Sequence, residues 1–174
     1  MNLLERKNVT AGKGGPLTLL GTEVMPGQKA PDFTAIGQDM KPVSLGELKG
    51  RRRIVLSVPS LDTPVCDAEV RRFNQEAAKL DGARILLVSV DTPMAQKRWC
   101  GAAGVDKVTT LSDFRERAFG KAYGTFIKEN WLLARAVFVV EPDDTVSYVE
   151  YVSELGKEPD YDKLLAHLRQ TVKA

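Results

Sequence analysis

Two short runs of aliphatic and β-branched residues, set on either side of one amphipathic stretch, constrain this chain more than any other feature. Ile54-Val55-Leu56-Ser57-Val58 ends at Pro59, and Ile85 to Val90 repeats the pattern. Such runs, too short for buried helices and bounded by breakers, read as strands buried on both faces. Between them, Ala68 to Leu80 has the apolar spacing and charged face of a helix. Strand, helix and strand give a βαβ unit, because parallel neighbours need a crossover of helical length.

Further elements follow. Asp91-Thr92-Pro93 opens a helix over Met94 to Ala103 that should stop near Gly101 or Gly104. Leu132 to Val140 and Thr145 to Val152 read as strands joined by the turn Glu141-Pro142-Asp143-Asp144. Leu164 to Val172 closes the chain as a helix. A βαβ unit followed by a hairpin and a terminal helix is the plan of an α/β thioredoxin-like fold, a mixed central β-sheet flanked by helices. Gly12-Lys13-Gly14-Gly15-Pro16 before Leu17 to Leu20 predicts an N-terminal β-hairpin extension, since a phosphate loop would need Gly-Lys-Ser/Thr opening a helix. Ala30-Pro31-Asp32-Phe33 reads as an extended arm. With no repeat or long linker, residues 1–174 form one domain, with residues 1–8 expected as a flexible segment.

Composition narrows the function. At 174 residues and 43% hydrophobic content, one good core can be buried without staples. The formal charge is only +2 with the signs mixed along the chain, which argues against a nucleic-acid partner. Apolar runs fall far short of the roughly 20 residues of a membrane span. Met1 to Lys7 has no apolar core of signal-peptide length, so a cytoplasmic location is expected. In a reducing compartment the two cysteines are poor candidates for a permanent disulfide. The single histidine, His167, cannot complete a four-ligand zinc site with them, so no metal is expected.

Cys66 lies in Pro59-Ser60-Leu61-Asp62-Thr63-Pro64-Val65-Cys66-Asp67, between the first buried strand and its helix. Pro64 suits the first helical position, where its missing N–H would have had no partner. Thr63 is then the N-cap and Cys66 the third helical residue, where backbone N–H groups are still free. A thiolate there could accept bonds from those groups and from the Thr63 hydroxyl, and helix N-termini favour reactive cysteines. The plain alternative is a small buried hydrophobe. Arg135 interrupts the apolar pattern Leu132-Leu133-Ala134-Arg135-Ala136-Val137-Phe138, where a charge needs a partner. That partner could be a carboxylate, or a thiolate with its substrate.

Pro59-x-x-x-Thr63-x-x-Cys66 resembles the active-site signature of the peroxiredoxins. Pro59 to Cys66, Ala95-Gln96-Lys97-Arg98-Trp99-Cys100-Gly101-Ala102-Ala103-Gly104, Ala134-Arg135-Ala136-Val137 and Glu158-Pro159-Asp160-Tyr161 together are similar to one branch, the thiol peroxidases or atypical two-cysteine peroxiredoxins. Leu19-Leu20-Gly21 and Ala30 to Phe33 extend the likeness, which covers about Val9 to Lys173. The resemblance implies that Cys66 attacks a hydroperoxide, that Thr63 and Arg135 hold it, and that Pro59 shields it. It further implies that Cys100 resolves the Cys66 sulfenic acid as an intrachain disulfide, with thioredoxin as reductant, a homodimer as assembly and no metal, flavin or haem. Two helices would have to move for that bond, the turn at Cys66 unwinding and the Cys100 helix shifting. Two departures bear on pocket and interface: Thr125 to Leu133 is short, and Met94 stands where an aromatic residue is expected. A thioredoxin-type reductase would instead need Cys-x-x-Cys, which is absent. A redox sensor or an inert domain with two core thiols remain the other readings.

Overall fold

The computed structural model describes residues 3–80 and 82–171. The apolar runs become strands β5 (Arg53–Ser57) and β6 (Arg84–Ser89), parallel and in register from Arg53↔Arg84 to Ser57↔Val88. All of β5 is buried, so both its faces must be covered. The remaining strands of that sheet are β3 (Thr34–Gly37), β4 (Pro42–Ser44), β7 (Val108–Ser112), β9 (Ala136–Val140) and β10 (Val146–Tyr151). Their order is β10-β9-β5-β6-β7-β3-β4, with β5, β6 and β7 parallel and the other neighbours antiparallel. This is the mixed sheet of the thioredoxin-like fold.

Helices α1 (Pro64–Glu76) and α2 (Pro93–Ala103) are the two crossovers, and α4 (Tyr161–Thr171) joins them on one face. There Val70 and Phe73 of α1 and Leu164 and Leu168 of α4 pack on Ile54, Leu56, Ile85, Leu87, Val137 and Val139. Alternate residues Val55, Leu86, Val88, Phe138 and Val140 face the other layer. That layer holds Phe33 of the extended arm with Phe119 and Tyr123, Phe119 lying in α3 (Ala118–Ala122). Burying a side chain such as Phe73 stabilises by about 1.5–3 kcal/mol, and Phe73→Ala would cost about 3–5 kcal/mol.

The N-terminal hairpin is present as β1 (Glu5–Gly12) and β2 (Gly15–Leu20), which pair with β8 (Phe126–Ile127) in a second, three-stranded sheet. Glu5 to Asn8, expected within a flexible segment, lie in β1, where Glu5 and Arg6 pair with Leu20 and Leu19, while Met1 and Asn2 lie outside the described residues. The hairpin tip reaches across the fold: Ala11 N–H donates to the Ser153 carbonyl at 2.9 Å, and Leu155 N–H to the Ala11 carbonyl at 2.9 Å.

Several boundaries moved. The α-helix expected to Leu80 ends at Glu76 and tightens into a 3-10 turn over Ala77–Lys79. Leu132 to Arg135 do not extend β9. Leu133 bridges Phe126 and Ala134 N–H donates to the Thr125 carbonyl at 2.7 Å, so this stretch belongs to the smaller sheet. Arg135 therefore stands at the joint between the two sheets. The α2 helix ends at Gly104, whose left-handed backbone (φ +65°) lets its N–H cap the Cys100 carbonyl. The last helix starts at Tyr161, three residues earlier than expected, and the expected final residue, Val172, lies outside the described residues.

Candidate active site

The loop after β5 delivers Pro59, buried, and then Thr63 in the extended conformation of an N-cap, with Pro64 opening α1. Cys66 is the third residue of the helix and is fully buried. The inward face of α1 runs Cys66, Glu69, Val70, Phe73, so a carboxylate sits on an otherwise apolar stripe. From the sheet joint Arg135 enters the same space, 1% exposed. Its Nη2 donates to the Cys66 Sγ at 3.3 Å and to the Leu155 carbonyl at 2.9 Å, while its Nη1 is ion-paired with the Glu69 carboxylate.

Burial works against the charge on Arg135, but the Glu69 carboxylate and the Cys66 sulfur together outweigh it and hold the guanidinium above its usual range. For Glu69 the balance goes the other way. Complete burial pushes its carboxyl up from 4.5 to about 7 despite the neighbouring Arg135. The Arg135 Nε and the Glu69 Oε1 are buried with no hydrogen-bond partner among the described residues. A small polar molecule entering beside Cys66 could use them.

Thr63 is placed differently from its sequence expectation. Its side chain makes no cap bond, and its hydroxyl donates to the Ser60 carbonyl at 2.9 Å. The Thr63 hydroxyl proton is thereby committed to Ser60. This turn is strengthened by Thr63 N–H, also on the Ser60 carbonyl at 3.2 Å.

Cys100 lies on α2, 7% exposed and also a free thiol. Its Sγ is 4.0 Å from the Thr110 hydroxyl of β7, and Gln38 Nε2 donates to that hydroxyl at 2.7 Å. A groove of about 460 Å³ opens there, lined by Cys100, Gln38, Asp39, Asp106 and Thr110 among others. Burial pushes the Cys100 thiol above its ordinary value of 9.0. The two cysteine helices are fastened to each other: Trp99 Nε1 donates to Asp67 at 3.1 Å, and Arg71 bridges Asp67 and the Ala103 carbonyl, each at 2.9 Å.

The structure thus brings Arg135 onto Cys66, sets Pro59 and Thr63 in the loop that leads into α1, and gives Cys100 a different partner, Thr110. The residue that sequence reasoning missed is Glu69. The available signal was its place three residues after Cys66, on the helical face that Val70 and Phe73 continue. Among the described residues no group of three or more His, Cys, Asp or Glu side chains is placed to hold a metal, and no helix is long and apolar enough to cross a membrane.

The Redoxin family model matches residues 25–165. The chain is 58% identical to the thiol peroxidase of Halalkalibacterium halodurans over 153 residues, covering 88% of this chain and 92% of that protein. It is 51% identical to the thiol peroxidase of Bacillus subtilis over 161 residues, covering 92% and 96%. Among solved structures, a peroxiredoxin-like protein from Aquifex aeolicus superposes with a TM-score of 0.87 at 36% identity, covering 98% of this chain and 99% of that one. The chain belongs to the redoxin family and, among the thiol peroxidases within it, is a peroxide-reducing oxidoreductase of peroxiredoxin type.

Proposed function

We propose that the peroxidase reaction runs through Cys66 as nucleophile and Cys100 as resolving thiol. The observation that carries this reading is the Arg135 guanidinium on the Cys66 sulfur at 3.3 Å, at the third position of a helix. A guanidinium and a helix N-terminus both favour a thiolate, and burial keeps water from competing. The thiolate forms an S–O bond as the O–O bond breaks; sulfur loses two electrons, and the departing oxygen takes a proton to leave as water or an alcohol. Arg135 and the N–H groups of the first turn stabilise the charge that builds on the peroxide oxygens. The lone pairs of Thr63 accept the hydroperoxide O–H, and Pro59 screens the sulfur.

Cys100 then displaces hydroxide from the Cys66 sulfenic acid, which leaves as water, and an S–S bond forms within the chain. In the present structure the two sulfurs are turned to opposite partners. Cys66 Sγ meets Arg135, just before β9, and Cys100 Sγ meets Thr110 of β7, with β5 and β6 lying between those two strands. A disulfide needs Cα atoms within about 4.4–6.8 Å, so the turn at Cys66 unwinds and α2 shifts in each cycle. The Asp67, Trp99 and Arg71 bonds between the helices are released in that step. Thiol exchange with thioredoxin returns both thiols.

The test is mass spectrometry after one equivalent of hydrogen peroxide, expecting a Cys66 to Cys100 link. Cys66→Ser should lose all turnover, and Cys100→Ser should retain a single turnover without recycling by thioredoxin and its reductase. Undiminished steady-state activity in either variant would overturn the assignment. The same reading takes the protein as a cytoplasmic homodimer; the exposure of Met94 (61%) and Trp131 (64%) supports an association surface, which light scattering would test.

A further inference from the structure

Two donors of the loop that leads into α1, the Ser60 hydroxyl and the Leu61 N–H, meet the carboxylate of Asp91, just beyond β6. Asp91 Oδ1 accepts the Ser60 hydroxyl at 2.7 Å, and Oδ2 accepts the Leu61 N–H at 2.8 Å and the Ser89 hydroxyl at 2.7 Å. The Asp91 carbonyl in turn takes the Ser112 hydroxyl of β7. Ser60 passes the constraint onward, because its carbonyl receives both the hydroxyl and the N–H of Thr63. On the other side, the Ser89 hydroxyl oxygen accepts from Gln96 Nε2 at 3.0 Å. Gln96 is fully buried on α2, one helical turn before Cys100, and also holds the Leu111 carbonyl at 3.0 Å.

We propose that Asp91 is a positioning residue: through Ser60 it fixes Thr63 and the turn that presents Cys66, and through Ser89 and Gln96 it ties that turn to the helix bearing Cys100. Its three donors converge on one carboxylate, and such charge-assisted bonds are about twice as strong as neutral ones. While they hold, the turn is in the form competent for peroxide attack. When the turn opens for disulfide formation, Ser60 and Leu61 leave the carboxylate, and the anchor at the start of α2 weakens in the same event. Asp91 therefore favours attack and restrains resolution. The second half of this role rests on the assignment of Cys100 made above.

The test follows Cys66 by quenched mass spectrometry, after one equivalent of hydrogen peroxide and after an excess, in the wild type and in Asp91→Ala. We expect sulfenic acid formation to slow about tenfold, as loss of a hydrogen bond to a charged group implies. The fraction of Cys66 carried on to sulfinic acid in excess peroxide should fall several-fold, because the opened turn meets Cys100 sooner. Asp91→Asn, which keeps an acceptor for Leu61 but not the charge, should lie between. Ser60→Ala should move both readouts the same way, and its effect should not add to that of Asp91→Ala. A residue that only stabilises the fold would lower Tm and leave both readouts unchanged well below it. Wild-type behaviour in Asp91→Ala, or in Ser60→Ala should the first variant fail to fold, overturns the proposal. Absence of a disulfide in the wild type would instead remove the assignment of Cys100, and the rate of sulfenic acid formation would still decide whether Asp91 positions the turn.

Discussion

Cys66 and Cys100 border the same apolar layer, yet Cys66 meets a guanidinium at 3.3 Å whereas Cys100 faces a neutral hydroxyl at 4.0 Å. Burial disfavours a thiolate at Cys100. The Cys66 sulfur accepts a bond from a cation whose own burial is made tolerable by Glu69, in the first turn of a helix. At Cys100 no group of opposite charge among the described residues offsets burial, which pushes the thiol up.

The most severe way to break this contrast is to remove the cation. Arg135→Ala should lower kcat/KM by about 10²–10³-fold, the scale of losing one preorganised donor to a developing charge. It should also destabilise the fold by about 3–5 kcal/mol, because Glu69 is left buried without its partner. Stopped-flow consumption of hydrogen peroxide and denaturant unfolding measure the two; retention of near wild-type kcat/KM would mean that Arg135 serves the fold alone.

Glu69→Gln sharpens the comparison through pH. The Glu69 carboxyl binds its proton more tightly folded than unfolded, so its contribution is full below about 4.5 and is lost as pH rises through about 7. The wild type should lose on the order of 2 kcal/mol relative to the variant across that window. Unfolding curves at intervals of pH test this, and parallel curves for the two proteins would refute it. Cys100 gives a complementary chemical test. Since its thiol lies above 9.0, alkylation at Cys100 in Cys66→Ser should still be accelerating past that pH. A plateau below pH 9 would show that Cys100 is activated like its partner.

The smallest effect concerns the fastening between the helices. Trp99→Phe removes the indole bond to Asp67 and should cost about 1 kcal/mol of stability. In Trp131→Phe, which leaves Trp99 as the one tryptophan, one equivalent of peroxide should change the fluorescence as that bond is released. An unchanged spectrum on full oxidation would argue that α2 stays in place.

Much of the scaffold was legible because its signals are local. The aliphatic runs at Ile54 and Ile85, the Thr63-Pro64 opening of α1 and the turn at Glu141 to Asp144 all hold as read. The strands β3, β4 and β7 and the short α3 were not read. Val108-Thr109-Thr110-Leu111-Ser112 mixes hydroxyl and aliphatic side chains without a clean period, and its strand exists because β6 offers a parallel edge beside it. The stretch Leu132 to Arg135 looked like strand because it is apolar, but it pairs with β8, and pairing partners are not encoded in a local pattern.

At the site, neighbouring residues alone set Cys66 at the third helical position and required Arg135 to find a partner, since helix phase and the penalty on a buried charge are local matters. Only the tertiary structure decided that Arg135 reaches both Cys66 and Glu69, that the Thr63 hydroxyl turns to Ser60, and that Cys100 lies against Thr110. Those outcomes depend on which strands lie side by side and on where a loop carries its hydroxyls. The contacts of Arg135 join residues 66 and 69 positions apart in the chain, so they come into being only when the sheet assembles.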